Sequence, residues 1–187
     1  MIVLGASIGG TQALRVILRA LPSSFVGTMA AVLHRHRDSD GGLIELLQQD
    51  CRVPVVEIVD KQPIDRRAVY VAPPDYHVMI DAGHFSLSVD EPVRFARPSI
   101  DVLFESAAAT GYSNLIAVVL TGGGTDGANG AAAVAAAGGK VLVQSPREAV
   151  GADMPQSAIA KVPGAEVYAL AALANRLARL VSSEGSA

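Results

Sequence analysis

Residues 1–21 read MIVLGASIGGTQALRVILRAL, which is an apolar run, a glycine-containing turn and a helical repeat in succession. The run 1–4 predicts a short strand that ends at Gly5. Beyond the turn, apolar residues recur every three or four positions and predict a helix that Pro22 stops: Ala13, Leu14, Ile17, Leu18 and Leu21. A strand followed at once by a helix is the repeating unit of an α/β fold.

The rest of the chain repeats this alternation. Apolar runs predict further strands at 28–34, 53–58, 68–72, 114–120 and 140–143. Helical patterns lie between or after them, at 43–49, 99–110, 127–137 and the C-terminal leucine stripe that runs from Leu170 to Leu180. Two short runs around a turn at Gly83 predict an inserted β-hairpin. We therefore expect an α/β, doubly wound fold, with a mostly parallel sheet flanked by helices.

Composition excludes several classes of protein. The chain has 187 residues, of which 50% are hydrophobic and 18% charged, so it can bury a core and is expected to form one domain. A net charge of −3 offers no basic surface for nucleic acid. No apolar run reaches the roughly 18 residues of a membrane span, and no signal peptide is visible. We expect a cytoplasmic protein without membrane insertion or a nucleic-acid partner.

Ser7 is the first candidate for chemistry. It lies in Gly5-Ala6-Ser7-Ile8-Gly9, a Gly-x-Ser-x-Gly spacing between a strand and a helix, which exposes a nucleophilic hydroxyl at a sharp turn. The N-terminus of the helix offers backbone N–H groups to an oxyanion. A serine at a helix start is equally typical of a simple N-cap, so this motif alone leaves both interpretations open.

His34 and Asp126 follow two other predicted strands. His34 could act as a general base near neutral pH, with His36 as a weaker rival in a basic loop. Asp126 ends a glycine-rich loop and could hold an imidazole in the correct tautomer, or could merely cap a helix. Active sites of open α/β sheets lie beyond the carboxyl ends of the strands, so the three together predict a Ser-His-Asp triad.

Longer motifs resemble the catalytic domain of the CheB-type chemotaxis-receptor protein-glutamate methylesterases. The resemblance spans nearly the whole chain and rests on GASIGG at 5–10, YVAPPDYHV at 70–78, RPSIDVLFESAA at 97–108 and LTGGGTDGANG at 120–130. It implies Ser7 as nucleophile, His34 as base and Asp126 as acid. It also implies hydrolysis of glutamate methyl esters on methyl-accepting chemotaxis receptors, with deamidation of receptor glutamines in many members, and neither a cofactor nor a metal.

Three features depart from the resembled family. Ile8 stands where threonine is usual and Gly123 where methionine is usual, although the backbone N–H of residue 123 could still line an oxyanion hole. We expect Ile8, Gly123 and Gly124 to form the oxyanion and substrate-binding part of the site. The family's receiver domain has no counterpart, so we expect residues 1–187 to be one catalytic domain, which leaves room for a separate regulatory partner.

Other readings remain open at the level of sequence. A dinucleotide-binding module fits the glycines but not Ser7 and His34, which stand where a glycine and an acidic residue are wanted. The same fold could also serve as a catalytically weak signalling or scaffold module, or as an esterase with another substrate. Minor candidates for substrate contact are His77, Arg94 and Arg97, for which structural or surface roles are the simpler interpretation.

Overall fold

The computed structural model describes residues 1–35 and 41–183. In this part of the chain the strands are β1 (Ile2–Ala6), β2 (Thr28–Leu33), β3 (Val55–Glu57), β4 (Ala68–Val71), β5 (His77–Asp81), β6 (His84–Ser88), β7 (Ile116–Val119), β8 (Lys140–Gln144) and β9 (Glu166–Tyr168). The helices are α1 (Gly10–Ala20), α2 (Leu43–Gln48), α3 (Ile100–Ala109), α4 (Ala128–Ala136), α5 (Asp153–Lys161) and α6 (Leu170–Ser183).

Seven of these strands form one parallel sheet in the order β3-β4-β2-β1-β7-β8-β9. Strand order reverses around β1, because β2 lies on one side of it and β7 on the other. Such a switch point is where ligands bind in open α/β sheets. The predicted doubly wound, mostly parallel fold is confirmed.

Helices cover both faces of the sheet. On one face α1, α2 and α6 pack against alternate residues of the central strands, including Ile2, Leu4 and Ala6. On the other face α3, α4 and α5 pack against the residues between them, such as Val3. Strands that are buried on both faces read as continuous apolar runs, which is why β1, β2 and β7 were visible in the sequence. The leucines of α6 pack into this core, as expected.

The predicted hairpin is also confirmed, as a separate antiparallel pair of β5 and β6. Val78, Ile80 and Phe85 are buried, and the Phe85 ring lies 4.8 Å from that of Tyr70 in β4. The hairpin also contacts α3, where the Ser106 hydroxyl oxygen accepts a hydrogen bond from the Ile80 N–H at 3.0 Å. The hairpin thus braces the helix that begins beside the candidate site.

Some elements differ from the prediction. Helix α1 begins at Gly10, about one turn before the first apolar residue of its repeat. Helix α5 and strand β9 were not predicted, because Pro155 interrupts one helical pattern and the strand has only three residues, two of them half-buried and one exposed. Proline is tolerated there because N–H groups in the first turn of a helix lack intrahelical acceptors.

Candidate active site

The central strands bring the predicted residues to one edge of the sheet. Strands β1 and β2 pair with Ala6 opposite Leu33, and the His34 N–H donates to the Ala6 carbonyl at 3.0 Å. On the other side, the Ser7 N–H donates to the carbonyl of Thr121, just beyond β7, at 2.9 Å. Neighbouring strands are about 4.8 Å apart, so Ser7 lies directly between the ends of β2 and β7.

The turn that carries Ser7 is tight and depends on close backbone packing. Gly9 has φ +76°, a left-handed conformation suited to glycine, and the Gly10 N–H donates to the Ser7 carbonyl at 2.7 Å. A side chain on Gly122 would begin 2.9 Å from the Ser7 Cβ. Within residues 1–35 and 41–183 the Ser7 hydroxyl makes no hydrogen bond. Serine therefore stands at an open turn instead of capping α1.

Asp126 is nearly the opposite case, because its carboxylate is 3% exposed and surrounded by donors. Oδ2 accepts from the Ile100 N–H at 2.7 Å and from His34 at 2.8 Å. Oδ1 accepts from the Ser99 hydroxyl at 2.8 Å and from the N–H groups of Asp101 and Gly127, both at 3.0 Å. The carboxylate thus caps the N-terminus of α3, where the helix dipole also favours a negative charge.

A serine that precedes a helix usually caps it with its own side chain, and α3 departs from this pattern. Ser99 occupies the N-cap position, but its side chain makes no capping hydrogen bond to its own helix. Asp126 supplies that cap from another loop, and the Ser99 hydroxyl donates to Asp126 instead. Asp126 in turn does not cap the helix that it precedes, since Gly127 is the N-cap of α4.

Burial and hydrogen bonding act on Asp126 in opposite directions. Burial favours the neutral acid and would raise the pKa of Asp126. Hydrogen bonds from His34, from the backbone of Asp101 and Ile100, and from Ser99 favour the anion, and the net effect is a pKa below the ordinary value. Asp126 is therefore an ionised acceptor.

This ionisation state defines the tautomer of His34. A carboxylate only accepts, so His34 Nε2 carries the proton that lies between it and Asp126. The other ring nitrogen, Nδ1, then has a lone pair that can accept a proton. His34 is partly exposed whereas Asp126 is buried, and the backbone N–H of His34 bonds to Ala6, the residue before Ser7.

The expected oxyanion residues lie around this turn. Among the described residues, no acceptor is recorded for the backbone N–H groups of Ile8, Gly123 and Gly124. The Ile8 side chain is 58% exposed, and its Cδ1 atom lies 3.4 Å from the point where a Cβ on Gly123 would begin. Ile8 thus borders the space that a larger residue at 123 would enter, so the two departures from the resembled family are neighbours.

Sequence reasoning missed Thr121, which ties the serine turn to the loop before α5. Its hydroxyl donates to the Ile8 carbonyl at 2.8 Å and accepts from the Gly151 N–H at 2.8 Å. Its own N–H donates to the buried Gln144 side chain at 2.9 Å. A threonine after an apolar strand carries no local signal for such a role, because its partners are distant in sequence.

The minor candidates are engaged within the protein. Arg94 donates to Asp101 at 2.9 Å and to the Thr125 hydroxyl at 2.7 Å. Arg97 forms an ion pair with Asp75 at 2.8 Å. His77 is buried and does not lie at the surface. His36, the rival base, lies outside the described residues. Where the structure describes the chain, no cluster of three or more His, Cys, Asp or Glu could hold a metal ion.

A family model for CheB methylesterase matches residues 2–177. The chain belongs to the CheB methylesterase family. A protein from Leptospira interrogans is 41% identical over 180 residues, which cover 96% of this chain and 93% of that protein. A protein-glutamate methylesterase/protein-glutamine glutaminase from Chromohalobacter salexigens is 34% identical and covers all of this chain, but the match spans only 54% of that longer protein.

The fold agrees with a solved member of this CheB family. The crystal structure of the Thermotoga maritima CheB methylesterase catalytic domain matches with a TM-score of 0.87 and 29% identity, over 97% of both chains. Dinucleotide binding is therefore not needed to explain the glycines near Ser7. In the described part of this CheB family member, no helix is long and apolar enough to cross a membrane.

Proposed function

We propose that this chain hydrolyses methyl esters of glutamate side chains on methyl-accepting chemotaxis receptors, with Ser7 as nucleophile, His34 as general base and Asp126 as its acidic partner. The observation that carries the proposal is the 2.8 Å contact between His34 and Asp126 beside the open Ser7 turn, in a chain of the CheB methylesterase family. The proposal treats residues 1–187 as one catalytic domain and includes the expected cytoplasmic location.

In the first half-reaction, Ser7 Oγ attacks the ester carbonyl carbon while His34 Nδ1 takes the hydroxyl proton. The ionised Asp126 stabilises the resulting imidazolium through Nε2. His34 then gives the proton to the methoxy oxygen, the bond from the carbonyl carbon to that oxygen breaks, and methanol leaves. The glutamyl group remains as an ester on Ser7.

In the second half-reaction, a water molecule takes the place of the serine hydroxyl. His34 accepts one water proton, the hydroxide adds to the acyl carbon, and collapse returns the proton to Ser7. The receptor side chain leaves as a carboxylic acid that ionises to glutamate. A glutamine amide would follow the same path with ammonia as the leaving group, which supports deamidation as a second activity.

The negative oxygen of both tetrahedral intermediates needs donors that are not already used. The N–H groups of Ile8, Gly123 and Gly124 meet this requirement, since no acceptor is recorded for them in the described chain. Pre-oriented donors of this kind lower the barrier because they need no reorganisation as charge develops. Every group in the scheme belongs to the protein, the substrate or water, so the proposal includes no cofactor.

The test is methanol release from a methylated receptor, measured beside release from a small glutamate γ-methyl ester. We expect the receptor to be the better substrate, because remote contacts can orient the ester. Ser24→Ala provides a matched control, since Ser24 is exposed in the loop that precedes β2, at the opposite edge of the sheet from the triad. Hydrolysis of unrelated esters without receptor turnover would reassign the substrate. No hydrolysis of any ester would favour the scaffold alternative.

A further inference from the structure

His77 is buried behind the candidate site with both ring nitrogens in use. It opens β5 and is 2% exposed. Nδ1 lies 3.2 Å from the backbone N–H of Ser99, and Nε2 lies 3.2 Å from the backbone carbonyl of Glu91. A backbone N–H can only donate and a carbonyl can only accept. His77 is therefore a neutral ring with its proton on Nε2.

Ser99, which His77 holds, is hydrogen-bonded to the candidate acid Asp126. Ser99 is fully buried, and its hydroxyl donates to Asp126 Oδ1 at 2.8 Å. The next two N–H groups along α3, those of Ile100 and Asp101, also point at Asp126. The Ser99 N–H is the one that turns away to His77. The ring therefore holds the peptide that comes directly before three donors to the acid, namely the Ser99 hydroxyl and the N–H groups of Ile100 and Asp101.

The contact adds a second link between the hairpin region and α3, beside the hydrogen bond from Ile80 to Ser106. Glu91 follows the β5–β6 hairpin, whereas Ser99 begins the helix that lies against the sheet. His77 joins them through one rigid aromatic ring whose two hydrogen bonds have opposite polarity. A side chain that could rotate its donor and acceptor would not define the position of Ser99 as narrowly.

We propose that His77 is a positioning residue for the proposed triad, acting through Ser99 on Asp126 and thereby on His34. This inference rests on the proposed function for its catalytic consequence. The path is His77 Nδ1 to the Ser99 N–H, the Ser99 hydroxyl to Asp126 Oδ1, and Asp126 Oδ2 to His34 Nε2. If His77 only filled the core, loss of the Nδ1 hydrogen bond and loss of the Nε2 hydrogen bond would have similar effects on stability and activity.

Two substitutions remove the hydrogen bonds of the two ring nitrogens one at a time. Asparagine places an amide oxygen where Nδ1 lies, so His77→Asn keeps the acceptor for Ser99 and loses the bond to Glu91. Glutamine reaches the position of Nε2, so His77→Gln keeps the bond to Glu91 and leaves the Ser99 N–H without an acceptor. Both variants lose the ring and one hydrogen bond, so a purely structural role predicts similar damage from each.

We expect His77→Gln to lower kcat for methanol release about 10-fold or more with KM unchanged, the range found for outer partners of catalytic groups at metal sites. His77→Asn should stay within about 3-fold of wild type, since it retains the bond on the path to Asp126. The proton NMR signal of the His34 Nε2–H should shift in His77→Gln and stay near its wild-type position in His77→Asn. Equal kcat losses, or an unshifted signal in His77→Gln, would overturn the proposal.

A variant that does not fold leaves two further measurements. Nitrogen-15 NMR of the wild-type histidines should show His77 as the Nε2–H tautomer, and an Nδ1–H tautomer would overturn the proposal. Ser99→Ala removes the hydroxyl that donates to Asp126 but keeps the N–H that donates to His77. It should therefore shift the His34 Nε2–H signal and leave the His77 tautomer unchanged. An unshifted His34 signal would also overturn the proposal. These readouts need no turnover, so a wild-type protein that shows them but releases no methanol refutes the proposed function and not the positioning.

Discussion

The serine turn and the aspartate pocket lie at the same edge of the sheet but are built in opposite ways. The Ser7 hydroxyl has no hydrogen bond among the described residues, and the N–H groups near it at Ile8 and Gly123 are equally free. The Asp126 carboxylate accepts five hydrogen bonds and is 3% exposed. One region leaves its polar groups available, and the other uses them all.

This contrast matches the different tasks that the proposal gives to the two groups. A nucleophile and an oxyanion site must meet an incoming ester, so their hydrogen-bonding capacity has to be unused beforehand. An acid that orients a histidine must hold its position and its charge throughout, which a complete set of donors secures. His34 is partly exposed, its ring touches the buried acid, and its backbone N–H bonds to Ala6 next to Ser7, so it lies between the two regions.

Removing the His34 side chain, which lies between the two regions, should have the largest effect on kcat. We expect His34→Ala to lower kcat by a factor on the order of 10⁶, as for the histidine of a comparable triad. His84→Ala, at the exposed first residue of β6, is the matched control and should retain full activity. A larger loss from His36→Ala than from His34→Ala would move the base to His36.

Changing the charge of the aspartate pocket should affect both activity and stability. We expect Asp126→Asn to lower kcat about 10⁴-fold, because the amide favours the wrong imidazole tautomer. A simple helix cap would predict little change in stability, since asparagine caps helices about as well as aspartate. The five donors alter that expectation, because an amide NH₂ would face at least two of them.

The resulting loss of unfolding free energy should be about 1–3 kcal/mol, measured by urea denaturation. Asp81→Asn, at an exposed hairpin position, should change neither stability nor kcat appreciably. Normal stability together with normal turnover in Asp126→Asn would refute the account of the pocket.

The positions of candidate residues could be predicted from sequence where each residue follows the end of a strand. Ser7, His34 and Asp126 follow continuous apolar runs, so the parallel topology alone brings them to one edge. The donors to Asp126 could not be predicted, because Ser99 and Ile100 reach it across the fold from a different loop. The burial of His77 could not be predicted for the same reason, because its partners Glu91 and Ser99 are distant in sequence.

Alanine substitutions at two neighbouring glycines, Gly122 and Gly123, should affect the packing of the serine turn to different extents. A Cβ on Gly122 would clash with Met154 Sδ and lie 2.9 Å from Ser7 Cβ, so Gly122→Ala should destabilise the fold by about 1–3 kcal/mol and reduce activity. A Cβ on Gly123 meets only Ile8, at 3.4 Å, so Gly123→Ala should change stability by no more than about 1 kcal/mol. Thermal denaturation of both variants would test this, and equal effects would contradict the packing described for the turn.

The smallest predicted effect is the acid sensitivity of the aspartate pocket. Because the folded pKa of Asp126 is lowered, its carboxylate contributes stability above the unfolded value of about 3.9 and loses it as pH falls through the folded value. The difference in unfolding free energy between wild type and Asp126→Asn should therefore shrink below about pH 4. Urea denaturation at pH values from about 2.5 to 6 measures this difference in unfolding free energy. A difference that grows on acidification would contradict the direction of the pKa shift.

Methanol release by Ser7→Ala tests the central claim most directly. The Ser7 hydroxyl makes no hydrogen bond among the described residues, so its removal should leave the unfolding free energy nearly unchanged. Turnover of methylated receptor should nevertheless fall by a factor on the order of 10⁶, while Ser24→Ala releases methanol at the wild-type rate. A folded Ser7→Ala protein that still releases methanol at the wild-type rate would show that the ester is not cleaved by this serine.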